Sequence, residues 1–482
     1  MVGKESKMKN KFIRKWLVIL TVAAMMIPAG IPANAETVEE GENIAPTAGI
    51  SAETPNVTAE TQKEEISAEM PDMTAETQNE EKSDVQAEGQ NQEKQGVLEA
   101  VRQNTEKAEE ASDAVDVQAE ERTAGEVQIG EQIYPTLTEA FAAAKDGDVL
   151  RLLENAEVSQ PILLTKNVTL DTNGFTVSAA AGFKGNFMFT NRGTFNIVGS
   201  GKIDGSVGTY PLIMINNTGG AVLNIQSSEI TGQGVVQNVG GIVNITGGTL
   251  TASARNTVLS QFGEVHIGAS AHLMAAGEGK SAVQLIGAKM TLSGDAVLSG
   301  NGGIDVFNSN RNEEGTVSAQ VEITGGRIET KDFPVSGNNQ ESAGAEVAIT
   351  GGSLKNISGG TAIYWPMEGQ LTIGGNAVIE GGTGIEAKMG TITIKDNAVI
   401  TGSGEWKEEK PQNGGANPEG SAFLGSAQMY DGCINDSSLV VNILGGTLKS
   451  VNGNAVTIYN TEEKSDVRAD ISVTGGSLQL LR

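Results

Sequence analysis

Tyr364 and Glu386 stand at equivalent places in two successive copies of a short pattern, TAIYW from Thr361 and TGIEA from Thr383. An aromatic face beside a carboxylate suits a sugar, because the ring covers its apolar side while the carboxylate accepts from its hydroxyls. Asp305, in GGIDVF, and Trp406, in a long gap between repeats, complete a candidate glycan-binding set. Ordinary solvated face residues are the bland alternative for the first three, and a floppy, functionless excursion for Trp406. Asp305 and Glu386 fall about three repeats, or roughly 14 Å, apart at the sheet spacing. Paired glycosidase carboxylates sit about 5–9.5 Å apart, so these two do not form a catalytic couple and no catalytic residue is assigned.

The remaining reactive residue types narrow the chemistry further. His266 and His272 are the only histidines and lie close in sequence, which argues against a multi-histidine metal site or a catalytic dyad. Cys433 is the only cysteine, has no histidine near it in sequence and cannot form an internal disulfide. No metal and no cofactor are expected.

These residues need a scaffold, and the repeats supply one. VNITGGTL from Val243 returns as VEITGGRI from Val321, VAITGGSL from Val347 and VNILGGTL from Val441, with looser copies between. Leu170, Ile197, Ile225, Ile245, Ile267, Leu292, Ile323, Ile349, Ile373, Ile394, Ile443 and Val473 mark the centre of each copy, mostly 20 to 31 residues apart. Alternation points Val243 and Ile245 inward and Asn244 outward, the Gly-Gly pair turns a corner, and a second and third strand follow. Such units stack into a solenoid whose core no single coil could bury. The predicted fold is all-β: a parallel β-helix of about thirteen coils with three short strands each, over residues 127–482. The outward row of the first strand reads Asn196, Asn224, Asn244, His266, Thr291, Glu322, Ala348, Thr372, Thr393, Asn442 and Ser472. One carboxylate in that row is too few to hold calcium for a lyase reaction.

Thr136 followed by Glu139, with Leu137, Ala140, Phe141 and Ala144 on one face, predicts a capping helix over about 136–146 that covers the first coil. A 49-residue spacing predicts a loop insertion over about 402–438, which holds Trp406. The last coil ends after a Gly-Gly corner without a second capping pattern, which predicts an exposed apolar edge or a longer protein.

Residues 1–35 combine a basic stretch, an apolar run from Trp16 to Ile27 and Ala33-Asn34-Ala35, the pattern of a cleaved signal peptide. Residues 36–126 hold 25 acidic and 6 basic residues and a duplicated 16-residue segment, and read as a disordered acidic stalk. The whole chain carries −27, of which −13 falls on residues 127–482. That charge argues against nucleic acid as a partner. Once the leader is removed, no membrane span is expected. Oligomeric state is not encoded in any pattern of this kind.

The stretch from Tyr134 to Val177, YPTLTEAFAAAKDGDVLRLLENAEVSQPILLTKNVTLDTNGFTV, resembles the opening of pectate-lyase-like right-handed β-helix proteins exported by Gram-positive gut bacteria. The resemblance covers about these 44 residues and implies right-handedness and a polysaccharide partner. It implies no particular activity, since that fold hosts lyases, hydrolases, adhesins and glycan-binding proteins. GSGKIDG from Gly199 looks like a segment of polygalacturonase-type glycosidases, in which it is structural. The later Asn-Thr-Asp, Asp-Asp and His-Gly motifs of those enzymes are absent, which leaves Asp204 as a corner residue. The expectation is a secreted or cell-surface bacterial protein that binds polysaccharide or mediates adhesion without catalysis. A polysaccharide lyase or glycosidase is the alternative, and a passive envelope spacer the third reading.

Overall fold

A computed structural model describes residues 125–206, 211–311, 315–337, 344–406, 416, 419–427, 439–460 and 469–481. The expected leader, nearly all of the stalk, and Cys433 lie outside the described residues.

From Val149 onward the chain runs repeatedly through three sheets in the same order, as a parallel β-helix does. We name them sheets A, B and C, with 15, 13 and 12 strands. Sheet A is longer because two strands at its front, Gln132–Tyr134 and Val127–Ile129, run antiparallel and extend its edge beyond the first coil. The thirteen coils expected from the repeats match the 13 strands of sheet B.

Register follows the aliphatic repeat without a slip. Ile225, Ile245, Ile267, Leu292, Ile323, Ile349, Ile373, Ile394 and Ile443 pair in one unbroken column of sheet A. All nine are 0–1% exposed. Burying each such side chain contributes about 1.5–3 kcal/mol, and a one-residue shift would turn the whole column outward.

The T-G-G corner needs both of its glycines for different reasons. At Gly351 a Cβ would stand 2.3 Å from the carbonyl oxygen of Thr324 in the coil below. Gly352 adopts φ +81°, a backbone conformation that a side chain disfavours.

A second device closes the corner between sheets C and A. Buried Asn191 donates to Asn217 at 2.8 Å, Asn217 to Asn238 at 2.9 Å, and Asn238 to Ser260 at 3.0 Å. Asn217 also donates to the carbonyls of Ala221 and Ile242, so the ladder satisfies backbone groups that the turn leaves over.

The front cap forms as helix α1, Leu137–Ala143, with Thr136 accepting from the Glu139 amide at 3.2 Å. It is shorter than the expected 136–146, because the backbone leaves helical geometry at Ala144 (ψ 148°). Leu137, Ala140 and Phe141 are buried, and Phe141 meets Phe189 and Phe195 edge-on at 5.9 and 6.0 Å. At the other end, Ile471, Val473, Leu478 and Leu480 in the final described coil are 41–51% exposed.

One expectation needs correction. The stretch 402–438 is not a single loop, for Phe423–Ala427 is the sheet C strand of that coil, paired between Thr383–Ala387 and Val456–Asn460. Phe423 occupies the inward column position held elsewhere by Ile363 and Ile385. The long spacing is therefore a complete coil whose connections on either side of that strand are extended.

Candidate functional site

The outward column of sheet C reads Gln284, Asp305, Ser336, Tyr364, Glu386, Leu424 and Thr457, in register. Tyr364 and Glu386 are neighbours and Asp305 stands three coils from Glu386, as the repeats imply. Further forward, Asn216 and Gln237 pair in the same sheet.

What the alternation could not foresee is that this face is covered. Glu386 is 0% exposed and Tyr364 9% exposed. Phe333, from the turn entering the Ser336 strand, stacks on the Tyr364 ring at 5.1 Å. The Lys388 ammonium sits 5.4 Å from the centre of that ring and 3.8 Å from the Glu386 carboxylate. Thr361 donates to Glu386 at 3.2 Å. Lys388 is itself fully buried, and desolvation lowers its pKa against the attraction of Glu386. Glu386 was expected as a solvated sugar acceptor, and its place is instead inside a buried ion pair. Trp406 is 39% exposed, and no described contact joins it to Tyr364.

A second buried carboxylate lies nearby. Glu419 accepts from Ser421 at 2.6 Å and from Tyr459 at 3.2 Å, and burial raises its pKa. It lies in the long connection that leads into Phe423–Ala427 and carries no repeat signal, so alternation does not point to it.

Asp305 accepts from Ser281 at 2.7 Å and from Ser336 at 2.6 Å. Burial pushes its pKa up despite those bonds and the one from Gln284, and the Asp332 carboxylate adds to the shift. A carboxyl whose pKa is higher folded than unfolded contributes stability that is full below about pH 4 and is lost as pH rises through the folded value. Asp305→Asn cannot titrate. Its melting temperature relative to the native protein should therefore rise between pH 4 and pH 7, and a constant difference would contradict the burial argument.

The open surface is on sheet A. The predicted outward row is in register from Asn196 to Ser472. Asn244 donates to Asn224 at 2.8 Å and Asn224 to Asn196 at 2.7 Å, while His266 Nδ1 lies 2.9 Å from the Thr291 hydroxyl. A groove of about 500 Å³ runs over this face from Glu264 and His266 to Gln370 and Thr372. It crosses five strands, about 19 Å at the sheet spacing. A β-hairpin, Ser309–Arg311 with Gly315–Val317, is inserted at the corner entering its middle strand.

Two columns floor the groove. One is the central row, His266, Thr291, Glu322, Ala348 and Thr372. The other lies two residues upstream: Glu264, Lys289, Gln320, Glu346 and Gln370. Reading only the central row misses three charged residues of the second column, Glu264, Lys289 and Glu346, although the same alternation points them outward.

His272 bonds Ser299 at 2.9 Å, and no group of three His, Cys, Asp or Glu residues among the described residues could hold an ion. Asp204 accepts from the Ser206 amide at 2.8 Å and pairs with Lys202 at 3.0 Å, which is the corner role read from the sequence. Among the described residues no helix is long and apolar enough to cross a membrane. The chain matches no protein-family model, no curated protein and no solved structure.

Proposed function

We propose that this protein is an exported, pectate-lyase-like β-helix of a bacterial surface that binds a linear polysaccharide without cleaving it, along the groove of sheet A. The observation that carries the reading is the groove itself: long, open and floored by evenly stepped hydrogen-bonding side chains. A polymer of repeated units suits a floor of repeated units, because each coil can make one contact of the same kind. The leader pattern and the resemblance over Tyr134–Val177 support export and a carbohydrate partner. The covered sheet C patch fits a structural role for Tyr364 and Glu386, and Trp406 is not among the residues that line the groove.

One observation favours the enzymatic reading. Glu322 and Glu346 are diagonal neighbours on adjacent parallel strands, their Cα atoms roughly 8 Å apart, which lets the two carboxyls reach the spacing of about 5–9.5 Å found in glycosidase pairs. Such a pair divides into acid and base when its two environments differ. Here both carboxylates are exposed in the same open groove.

The test is a panel of linear polysaccharides presented to the whole exported chain, with reducing ends and unsaturated products measured alongside. Saturable binding with no new ends supports the proposal. Steady release of either product would replace it with the enzymatic reading, and no binding to any polysaccharide would leave a spacer.

A further inference from the structure

The groove is defined by its shape, and its charge is unbalanced. Lys289 lies 3.8 Å from Glu264, and His266 lies 3.6 Å from the same carboxylate. One acidic residue thus faces both basic groups of the groove. Glu322 and Glu346, exposed and diagonal to each other, have no ion pair among the described contacts. Lys289, held by Glu264, is the cation diagonal to Glu322, and the rest of the floor around the two carboxylates offers hydrogen-bonding groups without charge: Gln320, Gln370, Thr291 and Thr372.

We infer that the groove prefers an amine-bearing hexosamine chain over a neutral or uronic acid chain. This rests on the reading of the groove as a glycan site and adds the sign of the ligand's charge. Protonated amines on successive sugars would meet Glu322 and Glu346, while ring hydroxyls bond the amides and hydroxyls of the floor. A uronic acid chain brings carboxylates against carboxylates, and like charges so placed repel. The uncharged amide and hydroxyl positions favour a polyhydroxylated partner over a lysine-rich peptide, whose spacing between cations is apolar stem.

The experiment compares glucosamine, N-acetylglucosamine and galacturonic acid pentasaccharides on the whole exported chain, at low salt and a pH where the amines are protonated. Two exposed ion pairs predict about fivefold tighter binding of the glucosamine chain than of its acetylated form, and the weakest binding for the uronic acid. The double variant Glu322→Gln, Glu346→Gln should bring the first two within about twofold of each other. An equal change of net charge elsewhere, Glu131→Gln with Glu278→Gln, should leave the preference intact. Equal or tighter binding of the acetylated or uronic acid chain overturns the inference while leaving the glycan reading standing. Preference retained in the double variant, or lost equally in the control, also overturns it, as does a lysine pentapeptide that binds as well as glucosamine. If none of the three sugars binds but other polysaccharides do, the charge preference fails alone. If no polysaccharide binds, the function itself fails.

Discussion

Lys388→Met is expected to destabilise the middle of the solenoid by about 3–5 kcal/mol, because it strands the Glu386 carboxylate without its cation. Both groups are fully buried, and the ion pair between them is 3.8 Å long. Charges taken out of water are tolerated only in company, so the loss is a penalty on the survivor rather than the worth of the pair. The double variant Lys388→Met, Glu386→Leu should recover part of the loss, since no charge is left buried alone and the residual cost is that of the Thr361 hydroxyl losing its acceptor. Urea unfolding of the single and double variants measures the difference. If the double variant is as unstable as the single one, the pair does more than satisfy itself, and a functional role under the cover would regain standing.

Phe195→Ala is expected to cost about 3–5 kcal/mol at the front of the solenoid. Phe195 is fully buried and belongs to a ring cluster, with Phe141 of α1 at 6.0 Å and Phe189 at 5.4 Å. The cap is held onto the first coils largely by that cluster. Because each coil contacts only its neighbours, the damage should stay local. Amide hydrogen exchange should quicken in α1 and the strands up to about Val222, while the strands around Ile349 stay protected. Loosening spread evenly over the solenoid would show that the coils are more cooperative than nearest-neighbour stacking allows.

The scaffold was legible because its logic is local and repeated. A T-G-G corner followed by an alternating strand can be read wherever it recurs, and the column from Ile225 to Ile443 needed no other information. The strand at Phe423–Ala427 escaped because its flanking connections break the spacing and because Phe replaces the usual isoleucine in the inward position. Burial on sheet C was illegible for a different reason. Alternation states which way a side chain leaves its sheet, but not whether another part of the chain lies above it. Phe333 sits in a turn and Lys388 just past a strand end, so neither belongs to the row they cover. On sheet A the outward row read from sequence lines a groove. Glu264, Lys289 and Glu346 lie one column away from the central row, and the same alternation points them outward.

The most direct test of the central claim fills the groove at its middle. Ala348 floors it there, so Ala348→Trp should weaken binding of the best polysaccharide by about tenfold or more, while Thr251→Trp on sheet B leaves it within about twofold. Equal binding by both variants would contradict the assignment of the ligand to sheet A.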